Sequence, residues 1–344
     1  MISNLYLRYT YLIYVKKTLK YKQFNEIKDL NENELPDKIL DTVNSKNASN
    51  FVEGELEKAL KLNAKIVEYN SEDYPTSVKH IKNSPPVLYI KGELGSPIKT
   101  IAIVGSRKAT TYGLKVAYEV GFQLGQRKVT VVSGMAYGID SSAHRGAINA
   151  KGRTYAVLGC GVDITYPKQN KKLKEEIENS GALISEFPFS TDPLNINFPV
   201  RNRIISAISD GVIVVEASEK SGALITADYA LDQGKDVYAV PGSIYSELSR
   251  GTNQLIKSGA IPYLNINDIY SKNPTVLQNS NLFKNTQLTD EEKIIINSID
   301  DFTGKNLNEI IDKTGLKANK VMITLTELEL KGLIEMINGK YLKK

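Results

Sequence analysis

From Thr100 onward the sequence alternates short, uniformly apolar runs with helix-length segments. TIAIVG is followed by 111–127, VTVVSG by 138–150, TYAVLG by 168–180, ALISEF by 198–209, GVIVVEA by 222–233 and DVYAVPG by 251–258. A strand with one wet face alternates apolar and polar residues; these runs do not, so they read as strands buried on both faces of a parallel sheet. Strands linked through helices by right-handed crossovers give an α/β, doubly wound, mainly parallel Rossmann-like sheet.

Before that core, residues 1–64 read as a lysine-rich helical region; NASNFVEGELEKALKLNAK is amphipathic, with Leu56, Ala59, Leu60 and Leu62 near one face. VLYIKG reads as a further strand, so the core domain is placed at 65–270. The polar stretch 271–287 reads as a linker. Residues 288–344 read as three helices and a hairpin turning at Asn338-Gly339, a winged helix.

A single cysteine, Cys160, excludes an intrachain disulfide framework and a multi-thiolate metal site, and two histidines argue against a histidine metal site. No apolar run reaches the ~18 residues that span a bilayer, and the N-terminus lacks a signal peptide's apolar centre. The expectation is a cytoplasmic protein with no membrane partner. A net charge of +5 permits a polyanionic partner without demanding one.

Open parallel sheets bind ligands at the carboxyl ends of their strands. Those ends are mostly small residues here, among them Ser106, Gly134, Gly138, Ser221 and Gly222, which let a ligand approach backbone N–H groups. The same edge carries Arg107, Lys108, Lys168, Lys171, Lys172, Arg201 and Arg203, with Asn202 between the last two and Tyr137 nearby. Backbone donors rimmed by Arg and Lys suit phosphate groups. Each feature also has a plain structural reading: glycines serve turns, lysines at 168–174 coat a solvated helix face, and the α-helical arginines pair with Glu186 or Asp192. Two arginines in the first turns of a helix begun near Pro199 oppose its dipole, however, which favours a use for them.

Nucleotide motifs are absent. No G-x-G-x-x-G follows the first strand and no G-x-x-x-x-G-K-[ST] exists, so no cofactor is expected. Ser133, Asp140 and His144 invite a hydrolytic triad, but no G-x-S-x-G elbow is present and Asp140 reads as a helix-start residue. Glu216 reads as a partner of turn amides.

The ordered set IVGSRKATTYG, SGMAYGIDSSAH, AVLGCGVDITYPKQN, LISEFPF, FPVRNRIISAISDGVIVVEA, SGALITADYAL and VYAVPGSI…GTNQLIKSGAI closely resembles the DNA-processing protein A family, DprA/Smf, over about 65–265. The resemblance implies a homodimeric, non-enzymatic protein that binds and shields single-stranded DNA during transformation and loads a RecA-type recombinase. It implies DNA contacts at Arg107 and at Lys171 or Lys172. Residues 1–64 do not show the family's usual helix-hairpin signature. The winged helix counts 9 Lys against 10 acidic residues, a poor DNA-reading face, and is expected to contact protein. A phosphoribohydrolase-like enzyme is the rival, but its P-G-G-x-G-T-x-x-E turn is missing; a duplex-reading regulator is the second rival.

Overall fold

The computed structural model describes residues 4–270, 289–299, 304–330, 333–337 and 339–343. The chain divides into two compact units, Met1–Ile269 and Tyr270–Lys344. The expected linker at 271–287 and the hairpin residue Asn338 lie outside the described residues.

The first unit opens with helices α1 (Leu5–Thr10), α2 (Tyr21–Ile27), α3 (Asp37–Val43) and α4 (Lys46–Leu62). A π-helical turn, Tyr11–Val15, extends α1. The chain then forms β1 (Ala64–Glu68), the short α5 (Thr76–Lys79) and β2 (Val87–Gly92). The regular part follows as β3 (Thr100–Val104), α6 (Thr111–Gln126), β4 (Thr130–Ser133), α7 (Ile139–Asn149), β5 (Thr154–Leu158), α8 (Lys171–Ser180), β6 (Ala182–Ser185), α9 (Asn197–Ile208), β7 (Gly211–Val214), α10 (Gly222–Asp232), β8 (Asp236–Ala239), α11 (Glu247–Lys257) and β9 (Ile261–Pro262). Every apolar run becomes a strand. Helix α11 starts four residues before the expected position.

The sheet order is β1-β2-β6-β5-β4-β3-β7-β8-β9. The seven strands from β6 to β9 are parallel, and β2 runs antiparallel to both β1 and β6. Both faces are buried, as the continuous apolar runs require. On β5, Tyr155 and Val157 join the core beneath α9 and α10, while Ala156 and Leu158 join the core beneath α4 and α8. The chain steps outward from β3 to β6 and then returns to lay β7 on the other side of β3. That reversal opens a crevice between the carboxyl ends of β3 and β7.

Two helices on one face meet through glycine. A Cβ on Gly121 of α6 would sit 2.3 Å from the Ala143 carbonyl oxygen, and one on Gly146 of α7 would sit 2.1 Å from that of Tyr118. Backbone-to-backbone approach of this kind holds the β3–α6 and β4–α7 turns side by side.

Within this unit the N-terminal helices pack directly on the sheet. Helix α4 is capped by Ser45, whose hydroxyl accepts from the Ala48 N–H, and is closed by Asn63 in the left-handed region. Its buried face is Ala48, Val52, Glu55 and Ala59. The expected apolar face is therefore corrected: Leu56 is 39% and Leu60 is 84% exposed. The buried stripe is set by small residues that admit close packing and by Glu55, which accepts from the Phe189 N–H. Leu60→Lys is expected to change unfolding free energy by less than about 0.5 kcal/mol, as for other exposed positions; thermal denaturation checks it, and a clear loss would contradict the exposure.

The second unit holds α12 (Asp290–Ser298), α13 (Leu307–Thr314), α14 (Ala318–Leu330) and the antiparallel pair β10 (Ile334–Ile337) and β11 (Lys340–Lys343). Capping boxes start α12 at Thr289 and α13 at Asn306. Ile295, Ile310, Val321, Leu325, Leu328 and Ile334 form its core. This is the expected winged helix.

Candidate nucleic-acid interface

The β3–α6 turn is built to push one side chain outward. Glu216, beyond β7, accepts from the Thr110 N–H at 2.8 Å and from the Thr110 hydroxyl at 2.5 Å. Thr110 in turn caps α6 through the Gly113 N–H. The Glu216 carbonyl accepts from the Ser106 N–H at 2.7 Å. Glu216 thus bonds turn groups, as expected from sequence. Gly138 lies at φ +74°, and a Cβ there would meet the Ser106 carbonyl oxygen at 2.3 Å, so the β4–α7 loop presses on the turn from below. Held on both sides, the turn leaves Arg107 and Lys108 exposed at its tip.

Arg107 does not hang free. Its guanidinium carbon lies 5.1 Å from the ring centre of Phe198, at the start of α9. Phe198 in turn packs against Tyr166 at 5.4 Å. A cation resting on an aromatic face is oriented without losing its charge or its N–H fork.

Around Arg107 lies a cavity of about 500 Å³ at the β3–β7 crevice. Ser106, Arg107, Lys108, Arg201, Asn202, Ser221 and Gly222 all line it. A small adjoining recess shares Arg107, Phe198 and Arg201 and adds Gly134, Tyr137 and Tyr166. The two tyrosines are 42% and 39% exposed, so they are surface rings and not core. Asn202 donates to the Gly222 carbonyl at 3.1 Å, tying α9 to the start of α10. The Ser221 hydroxyl caps α10 by accepting from the Ala223 N–H.

Lys168, Lys171 and Lys172 line neither hollow. All three are exposed, Lys168 on the turn leading into α8 and Lys171 and Lys172 in its first turn. Lys172 sits 3.8 Å from Glu176 in an ordinary helical pair. Asn170 between them is buried and donates to the Met135 carbonyl and the Ser141 hydroxyl at 2.9 and 2.8 Å. Tyr137 donates to Gln169. The lysine-bearing turn is thereby fastened to the β4–α7 loop beside the recess.

The α9 arginines require correction. Arg201 is 4% and Arg203 is 3% exposed, so neither stands on the rim. Arg201 forms the floor of the cavity. It donates to the Gly134 carbonyl at 3.1 Å and to that of Val157. Burial pushes its pKa down to about 10, partly offset by nearby Asp140, so it stays charged at neutral pH. Arg203 forms a bidentate pair with Glu186 at 2.5 and 2.7 Å and takes no place in the groove. Burial alone would raise the Glu186 pKa; Arg203 and the Tyr14 and Tyr21 hydroxyls outweigh it and hold the carboxyl below its ordinary value. Of the two acids weighed for pairing, Glu186 is the partner.

The triad does not assemble. Ser133 donates to the Ile103 carbonyl at 2.6 Å, and His144 Nδ1 meets Thr154. Asp140 lies in the first turn of α7 but turns back to accept from the Gly134 and Ala136 N–H groups. Among the described residues no group of three or more His, Cys, Asp or Glu side chains could hold a metal ion. No described helix is long and apolar enough to cross a membrane.

In the winged helix, Lys320 pairs with Glu291, and Met322 and Ile323 of α14 are 54% and 61% exposed. Helix α14 therefore presents apolar surface with little free positive charge.

Residues 65–274 match the model of the DNA recombination-mediator protein A family, and 284–340 match the DprA winged helix domain. The chain belongs to the DprA/Smf family. It is 36% identical over 292 residues to Protein Smf of Escherichia coli, covering 82% of this chain and 78% of that protein. It is 41% identical over 210 residues to DNA processing protein DprA of Bacillus subtilis, covering 60% and 71%. Among solved structures, DprA of Streptococcus pneumoniae superposes with a TM-score of 0.67 at 34% identity, covering 79% of this chain and 99% of that one. DNA processing protein A of Helicobacter pylori, described for its single-stranded DNA binding mode, gives 0.56 at 29% identity, covering 63% and 97%.

Proposed function

We propose that this DprA/Smf protein binds single-stranded DNA along the carboxyl edge of its sheet, shields it, and loads a RecA-type recombinase in transformation and recombination. In this reading it acts in the cytoplasm as a homodimer, uses no cofactor and does no chemistry on the DNA. The observation that carries the reading is Arg107: an exposed guanidinium, oriented on Phe198, at the lip of a cavity with a second buried arginine in its floor. A strand's phosphate fits the Arg107 fork, while the exposed Tyr137 and Tyr166 rings offer faces for bases.

The test is a salt series of binding to fluorescent oligothymidine and to a duplex of equal length. Wild type should prefer the single strand. Arg107→Ala should weaken single-strand binding by roughly tenfold or more and lower the salt slope by about 0.7, the share of one phosphate contact. An unchanged slope and affinity would remove the groove from the reading.

A further inference from the structure

Given the groove as a single-strand site, we infer that residues 16–22 form a second phosphate-binding station that continues the same DNA track past the end of β6. The segment VKKTLKYK (15–22) carries four lysines and no acid. Lys16, Lys17, Lys20 and Lys22 are all exposed. Among the described residues none of the four makes an ion pair with a carboxylate. Leu19, 5% exposed, is the buried anchor between them. Lys17 adopts φ +55°, a left-handed conformation that Gly or Asn would take at lower cost.

The decisive feature is where this turn is pinned. Tyr14 and Tyr21 flank it, and both donate to the same Glu186 carboxylate oxygen, Tyr14 at 2.5 Å. The Tyr14 ring packs edge-on against Phe187 at 5.3 Å. The Arg203 guanidinium carbon lies 5.2 Å from the Tyr21 ring centre. Glu186 directly follows β6, so the turn is fixed to the carboxyl edge, the edge that holds the groove. β6 neighbours β5, and Gly159 and Cys160, just beyond the end of β5, line the recess beside Arg107. From β3 to β6 is three strand spacings, about 15 Å. Arg107, the recess and the lysine turn therefore follow one another along one edge. A polyanion lying on Arg107 and leaving past β5 meets four unpaired lysines next. Two buried hydroxyl-to-carboxylate bonds are more than a loose loop needs, and they hold that charge in register with the groove.

The experiment compares binding of the full chain to oligothymidines of about 6 and about 30 nucleotides, bracketing common single-strand site sizes. The variants are Arg107→Ala and the quadruple Lys16→Gln, Lys17→Gln, Lys20→Gln, Lys22→Gln, whose changes are all on the surface. The quadruple variant should bind the short oligomer like wild type. It should bind the long one at least tenfold more weakly, with a salt slope lower by about 3, given ~0.7 for each of four neutralised phosphates. Arg107→Ala should weaken both lengths. Equal long-oligomer affinity and slope for wild type and the quadruple variant would overturn the second station, as would an equal loss at both lengths. Loss of neither length in Arg107→Ala would instead overturn the groove reading on which it rests.

Discussion

Glu186→Ala is expected to destabilise the first unit by about 3–5 kcal/mol, because it strands a buried guanidinium. In a unit of this size that is a fall in Tm on the order of 10 °C. The carboxylate accepts from both terminal nitrogens of Arg203 and from the hydroxyls of Tyr14 and Tyr21. Its side chain is 0% exposed and that of Arg203 is 3% exposed. The alanine variant leaves Arg203 with carbonyl acceptors only, those of Asn83 and Val200. The double variant Glu186→Ala, Arg203→Met removes the uncompensated charge along with its partner. It should recover part of the loss, since much of the cost of breaking a buried pair lies in the orphaned member. Calorimetry of wild type, single and double variants decides the matter. A double variant less stable than the single would mean that Arg203 acts through packing and its carbonyl bonds, not through Glu186.

The same pair shows how far the sequence could be read. The fold of 100–270 was legible because burying both faces of a parallel strand demands a continuous apolar run, and β3 to β8 all supply one. The strands β1 and β9 left no such trace. β1 has Lys65 and Glu68 among its five residues, and β9 contains only Ile261 and Pro262. An edge strand shows solvent a side that an interior strand does not, so charge and proline are tolerated there. Helix α4 misled for a related reason. Its apolar count pointed to Leu56 and Leu60, but the packed stripe is made of smaller residues and a glutamate whose acceptor role lies 134 residues away at Phe189.

Within the site, the turn chemistry was legible and the side-chain destinations were not. Arg107, Ser106, Lys108, Asn202, Ser221 and Gly222 converge because the rule of carboxyl-edge binding is topological and needs only the strand order. Arg201 and Arg203 look alike in sequence and differ wholly in place. At a spacing of two residues on a helix they point about 200° apart, so one enters the groove floor and the other the junction with the N-terminal helices. Opposition to the helix dipole did signal a special use for both. It could not say that the use of Arg203 is structural. Phe198, which orients Arg107, carried one signal: an aromatic residue just before Pro199 in an otherwise arginine-rich start to a helix.

The second large effect is expected from acid. His144 is fully buried, and its Nδ1 lies 2.6 Å from the Thr154 hydroxyl. That hydroxyl already donates to the Val131 carbonyl at 2.9 Å, so it accepts from His144, and the neutral ring carries its proton on Nδ1. The other nitrogen, Nε2, is buried without a partner. A second proton would sit there with no protein acceptor, in a buried site within electrostatic reach of Arg201. Burial first, and Arg201 second, lower the pKa to about 3. In the unfolded chain the ring takes its proton near 6.5. Between those values the unfolded state holds more protons, so stability falls as pH drops below 6.5. At pH 5 this one group removes about 2 kcal/mol relative to pH 7. His144→Gln has no such charge to bury. Other acid-sensitive groups, Glu186 among them, act on wild type and variant alike and cancel in the comparison. Measured by urea unfolding, the stability difference between wild type and His144→Gln should therefore move by about 2 kcal/mol in favour of the variant between pH 7 and pH 5. Parallel stability curves for the two proteins would show that the folded state accommodates the imidazolium, through a water or a shift of α7 away from β5.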